Sequence, residues 1–133
     1  MSAWKRRVGA TLAAVAMTVG FAACGGGDDG GSDKAYVEPK GPSTETIEIE
    51  AKNFSFTPDT ITANPGIATI ELVAENGIHD LVFDGAYPGF IVEAEGGGDA
   101  QSKKIDLKAG KYDFYCSITG HRAAGMEGTL TVK

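Results

Sequence analysis

The chain of 133 residues is short of positive charge and of side chains that bind metals or act as nucleophiles. It has 12 Lys and Arg against 18 Asp and Glu, a formal net charge of −6. This balance excludes a nucleic-acid binder, because such proteins cluster Lys and Arg against phosphates. There are two His, two Cys and three Met. The length allows about one domain, which excludes a two-domain enzyme.

Long apolar runs are also missing. The longest uncharged and mostly apolar run, residues 8–21, has 14 residues, whereas a membrane-spanning helix needs about 20. The run follows Lys5, Arg6 and Arg7 and precedes small residues that end at Cys24. A basic start, an apolar run and small residues in this order predict a secretory signal peptide over residues 1–23.

The end of this segment carries a second signal. Residues 21–24 read FAAC and resemble a bacterial lipoprotein box, in which the Cys becomes the lipidated first residue of the mature chain. We therefore predict lipidation of Cys24 and a lipid anchor on the outer face of the bacterial cytoplasmic membrane. The alternative is ordinary cleavage, which leaves Cys24 as a free thiol.

The segment after Cys24 has the composition of a linker. Residues 25–43 read GGGDDGGSDKAYVEPKGPS and show no apolar period. Such a segment cannot bury enough apolar surface to offset the entropy lost on ordering. We predict a flexible tether over residues 24–43, with an r.m.s. reach of about 25 Å. The folded domain is then predicted over residues 44–133.

This domain has the pattern of an all-β protein. Short stretches alternate or are rich in β-branched residues, and Gly, Asn and Pro turn signals separate them. The spacing predicts an antiparallel β-sandwich or barrel, and no window has the period of an amphipathic helix. The predicted strands are residues 46–50, 67–73, 80–83, 104–107, 112–115 and 129–132.

The few metal-binding side chains of the domain are concentrated. Cys116, His121 and Met126 form a Cys-x4-His-x4-Met pattern between the last two predicted strands. His79 lies between two earlier strands and can reach the same end of the sandwich. Two imidazoles, one thiolate and a weak thioether form the ligand set of a blue copper site. A structural zinc site would offer four closer donors.

At these residues the sequence resembles the cupredoxins. Residues 110–117 (GKYDFYCS) resemble the approach to the copper Cys of plastocyanins, and residues 124–132 (AGMEGTLTV) resemble their ending. The resemblance implies a Greek-key antiparallel β-sandwich and one type 1 copper ion that carries single electrons. It also implies His79, Cys116 and His121 as equatorial ligands and Met126 as the axial ligand.

Two details qualify this resemblance. The spacing from Cys116 to His121 is two residues longer than in plastocyanins and closer to that of auracyanins and rusticyanins. Residues 75–80 (ENGIHD) resemble the loop with the first His ligand, so Asn76 and Asp80 are expected around the ligands. Asp80 stands where the family often has Asn, and an ionised Asp80 can accept hydrogen bonds but cannot donate them.

The resemblance also implies an electron-transfer surface. His121 is the expected exit for electrons, because family members expose the edge of this ligand. Ala123 and Ala124 are small enough to allow a partner to approach closely. Tyr115 precedes the Cys and corresponds to a second electron route in plastocyanins. Three further residues are expected to rim the same end: Tyr87, Pro88 and Phe90.

The ligand set and the charge bear on four possible functions. The favoured one is a membrane-tethered blue copper electron carrier, a monomer that meets unidentified redox partners and no nucleic acid. Residues 44–133 have 14 acidic and 7 basic side chains, a net charge of −7, which favours a basic partner surface. The alternative is an exported copper chaperone or copper store. A copper enzyme would need further His ligands, and a metal-free adhesion module would leave the Cys-His-Met pattern accidental.

Overall fold

The computed structural model describes residues 35–133. The predicted signal peptide, the lipidation site Cys24 and the first part of the tether lie outside the described residues. Within the described part of the chain, no helix is long and apolar enough to cross a membrane.

Nine strands form the domain, and alternation of buried and exposed side chains explains most of them. In β1, for example, Ile47, Ile49 and Ala51 are buried while the residues between them are exposed. The strands are β1 (Glu45–Lys52), β2 (Ser55–Thr57), β3 (Thr60–Ala63), β4 (Gly66–Ala74), β5 (His79–Phe83), β6 (Val92–Ala94), β7 (Asp99–Leu107), β8 (Gly110–Tyr115) and β9 (Glu127–Val132).

The strands form two sheets with the orders β2-β1-β4-β7 and β3-β9-β8-β5-β6. The apolar faces of the two sheets enclose one core, so the predicted all-β sandwich is confirmed. Two of the neighbouring pairs, β1–β4 and β3–β9, are parallel. The chain enters the second sheet at β3 before it returns at β4, and this crossover allows β1 and β4 to run in the same direction.

The topology brings the predicted ligands to one end of the sandwich. β5 begins at His79, β8 ends one residue before Cys116, and β9 begins one residue after Met126. Because β5 and β9 both pair antiparallel with β8, the start of β5 and β9 lies beside the end of β8. We call this end the ligand pole.

Residues 35–43 pack against the domain and are called the N-terminal strap. The Tyr36 hydroxyl donates to the Lys104 carbonyl oxygen (3.1 Å), and the Lys104 N–H donates to Glu38 Oε2 (3.0 Å). The Tyr36 ring contacts Phe90 edge to face, with centroids 5.1 Å apart. Composition assigned these residues to the tether. The structure lays them along the outer strand β7, because Tyr36 supplies an apolar ring that the core can take up.

Candidate metal centre

The first donor, His79, is buried with 3% of its surface exposed, and neither ring nitrogen has a hydrogen-bond partner. A buried polar atom without a partner costs free energy, so this imidazole is suited to bind a metal ion through one of its nitrogens. Burial lowers the pKa of His79 and keeps the ring neutral, which is the form that binds metals.

Residues distant in sequence hold the loop that carries His79. The Asn76 amide donates to Asn53 Oδ1 (2.8 Å), and the Asn53 N–H donates to Asn76 Oδ1 (3.2 Å). From the other side, a Cβ atom on Gly96 would lie 2.5 Å from the Gly77 nitrogen and 2.9 Å from the Asn76 backbone. Only glycine therefore fits at position 96, and the loop is held from both sides.

The other three donors lie in residues 116–126, which we call the ligand loop. Its backbone groups bond to one another: Cys116 N–H donates to the Met126 carbonyl oxygen (3.1 Å), and Met126 N–H donates to that of His121 (3.1 Å). His121 N–H in turn donates to the carbonyl oxygen of Ile118 (3.0 Å). These bonds fold the loop back on itself, so the spacing of its donors is fixed locally.

The donors converge. One ligand atom each from His79, Cys116 and His121 lies within 4.8 Å of the others. Cys116 Sγ is 3.4 Å from His121 Nδ1, and the two imidazole centroids are 5.1 Å apart. Met126, like Cys116, is fully buried. Burial raises the pKa of the Cys116 thiol, so the thiolate forms when a cation takes the place of its proton.

Asp80, which is buried with 3% of its surface exposed, connects the two sides of the site. Asp80 Oδ1 accepts from the Ser117 N–H (2.5 Å), and Asp80 Oδ2 accepts from the Ser117 hydroxyl (2.5 Å). The Asp80 N–H points to Cys116 Sγ at 3.5 Å, within the range of a bond to sulfur. Asp80 therefore connects the loops by accepting, as its chemistry requires.

Comparison with known proteins agrees with this geometry. The family model "Copper binding proteins, plastocyanin/azurin family" matches residues 43–133. Plastocyanin of Dryopteris crassirhizoma is 40% identical over an alignment of 98 residues, and the match covers 63% of this chain and 93% of that protein. Reduced auracyanin of Roseiflexus castenholzii is 21% identical with a TM-score of 0.56, over 69% of this chain and 99% of that one. Auracyanin A of Chloroflexus aurantiacus is 21% identical with a TM-score of 0.55, over 66% of this chain and 98% of that one.

The two-sheet sandwich and its cluster of two imidazoles and a thiolate define a cupredoxin. The chain belongs to the plastocyanin/azurin family of copper-binding proteins. The donor set fits a type 1 copper site, with His79, Cys116, His121 and Met126 as ligands, and the predicted cofactor is confirmed. The protein is a blue copper electron carrier rather than an enzyme.

The predicted surface residues lie in different places. Ala123 and Ala124 are exposed on the ligand loop beside His121. Tyr115 lies under Arg122, whose guanidinium carbon is 4.0 Å from the ring centroid. Three residues were expected around the electron exit: Tyr87, Pro88 and Phe90. They line a different depression, together with Tyr115 and Ser117, and Phe90 is buried. These surface roles stay predictions.

The sequence reasoning missed the residues that surround His121. Phe54 contacts the His121 ring edge to face, with centroids 4.9 Å apart. Ile78 and Ile118 lie in the same depression, of about 540 Å³. Ile78 and Ile118 gave a signal, since each is an apolar residue in a loop next to a ligand. Phe54 gave none, because it follows Asn53 in a tight turn where both residues have positive φ (46° and 64°).

Proposed function

We propose that the protein is a membrane-tethered carrier that passes single electrons between redox partners through the edge of His121. The observation that supports this most directly is the unequal exposure of the two His ligands. Both His79 and His121 line the depression beside Phe54, Ile78 and Ile118. His79 is buried there, whereas His121 is half-buried and exposes more of its ring. An electron that leaves through His121 crosses one imidazole before it reaches the surface.

The residues of the chain hold the metal ligands in place and keep water away from the site. Copper bound there supplies a centre that changes by one electron between Cu(I) and Cu(II). Cys116 and Met126 are fully buried and held by the backbone bonds of the ligand loop, which limits movement of these donors. The apolar walls of Ile78 and Ile118 exclude water from the contact with a partner. Both features favour fast electron transfer.

Electron exchange between two copies of the protein tests this exit. Each productive encounter would bring two His121 faces together, so an Ile78→Asp variant places like charges opposite each other. We expect the self-exchange rate to fall at least about tenfold, since like-charge contacts are strongly unfavourable. Val37→Asp is the matched control, because Val37 is 83% exposed on the N-terminal strap.

Nuclear magnetic resonance line widths of mixed oxidised and reduced protein report the self-exchange rate. Equal rates for the wild type and Ile78→Asp would contradict an exit at this face. A wild type that exchanges no electrons but transfers Cu(I) to a chelator would instead favour copper handling.

The tether needs a separate test. The full chain is expressed in a bacterial host, and the wild type is compared with Cys24→Ser for membrane association and for incorporation of labelled fatty acid. We expect the Cys24→Ser variant to lose both. Cys116→Ser removes the other cysteine and should keep both. A Cys24→Ser variant that stays lipid-labelled would exclude the proposed anchor.

A further inference from the structure

Asp80 is the one buried carboxylate among residues 35–133. None of the Lys or Arg side chains in that part of the chain lies within salt-bridge distance of it. Its two oxygens accept only from the N–H and hydroxyl of Ser117. Burying an ionised carboxylate without a cation costs free energy, so a positive ion near Asp80 would stabilise its charge.

The nearest chemistry is that of the metal ligands. Asp80 follows His79 directly, and its N–H points to Cys116 Sγ. A carboxylate at this place adds negative charge to that of the thiolate. Negative charge in a dry site stabilises the more positive of two oxidation states at the same centre, because the attraction grows with the charge of the ion.

We propose that Asp80 sets the redox balance of the site by favouring Cu(II) over Cu(I). This proposal rests on the proposed function, since it concerns the same copper. Asp80 acts as a charged positioning residue, not as a ligand. The effect of the Asp80 charge on the copper can be separated from the hydrogen bonds that connect the loops. Asn has the same shape as Asp and can still bond to Ser117, but it carries no charge.

The test compares Asp80→Asn with the wild type by spectroelectrochemical titration. We expect the ratio of Cu(II) to Cu(I) affinity to fall at least tenfold, which raises the reduction potential by about 59 mV for one electron. Separate competition titrations should place most of the change in the Cu(II) affinity. An unchanged ratio would overturn the proposal.

Ser117→Ala separates the charge from the tie. This variant removes one hydrogen bond to the carboxylate but leaves its charge, and the backbone N–H of residue 117 remains. We expect a reduction potential equal to or below that of the wild type. A rise like that of Asp80→Asn would show that the tie matters rather than the charge, and would overturn the proposal. If Asp80→Asn does not fold, a raised potential in Ser117→Ala relative to the wild type would still overturn the proposal.

The proposed function and this inference can fail separately. A wild-type protein without the intense thiolate-to-copper absorption band would contradict the type 1 site itself. A wild type with that band and an Asp80→Asn variant with unchanged potential would leave the electron carrier in place and remove only the role of Asp80.

Discussion

The two regions that supply the copper ligands are built differently. The ligand loop, residues 116–126, carries three donors and is braced by hydrogen bonds among its own backbone groups. The other region carries His79 alone. It is held by contacts across the sequence, 23 residues from Asn53 to Asn76 and 37 residues from Asp80 to Ser117.

The ligand loop therefore decides whether a copper site forms, and the His79 region decides how tightly that site holds the ion. A self-braced loop keeps three donors together whatever happens elsewhere in the domain. The position of His79 relative to that loop depends on tertiary packing. Changes in the ligand loop should therefore remove the copper site, whereas changes around His79 should leave the thiolate bond and alter how firmly the ion is held.

The largest expected effect comes from Cys116→Ser. The hydroxyl does not replace a thiolate, so the intense visible band should disappear while the strands remain. Exchange of a fully buried thiol for a hydroxyl should also lower the free energy of unfolding by about 1–3 kcal/mol. Visible absorption, circular dichroism and denaturant unfolding measure these effects. A Cys116→Ser variant that stays blue would disprove the ligand assignment.

A smaller effect is expected from Gly96→Ala, which pushes on the backbone of the His79 loop. The added methyl group meets backbone atoms of Asn76 and Gly77, and such overpacking costs about 1–3 kcal/mol. We expect the blue band to persist and copper to leave faster to a chelator. Gly85→Ala is a control with open space around it, although its positive φ adds strain. Equal copper release rates in the two variants would contradict the proposed brace.

Asn76→Ala should have a milder effect. It removes both side-chain hydrogen bonds to Asn53, with a loss of about 1 kcal/mol in the free energy of unfolding. The absorption band should stay in place, and copper release should become moderately faster. Asn64→Ala serves as the control, because only the backbone of Asn64 takes part in a hydrogen bond. If both variants behave alike, the Asn53–Asn76 pair does not hold the loop.

Tyr87→Phe should change the copper site and the stability least at neutral pH, because Tyr87 lies outside both ligand regions. Burial, with its neighbour Tyr112, raises the pKa of Tyr87 to about 12. A raised pKa means that the neutral phenol favours the folded state. This stability is complete below pH 10 and is lost as the pH rises through 12.

Ultraviolet titration and unfolding against pH, with Tyr87→Phe as the control, measure this loss. The variant should lack the late-titrating phenol. Full phenolate formation near pH 10 in the wild type would show that Tyr87 is exposed to solvent.

The sequence predicted what is local. The six longer strands were found because each shows alternation or a run of β-branched and apolar residues over enough positions. The ligand loop was found because its donors share one stretch. The strands β2, β3 and β6 have only three or four residues, too few to show a period. Phe54, which packs on His121, was missed because its place depends on a turn that joins β1 to β2.

The sequence also could not show how Asp80 would be used. It showed that an ionised Asp80 can only accept hydrogen bonds, but not which donors would meet it. The Ser117 donors come from the other side of the site, and their position follows from the pairing of β5 with β8. Tyr36 was assigned to the tether because its packing also depends on tertiary structure. A single aromatic ring in a polar segment gives no sign of where it packs.

The N-terminal strap also has a consequence for crowding. Both backbone groups of Lys104 are occupied by side chains of the strap, Tyr36 and Glu38. An outer strand with free backbone groups is a template for pairing with another chain, and such pairing leads to aggregation. Proteins concentrated on a surface would meet edge to edge often. The strap covers the outer backbone of β7 at Lys104. We expect a fragment that begins at residue 44 to lose this cover and to aggregate more readily.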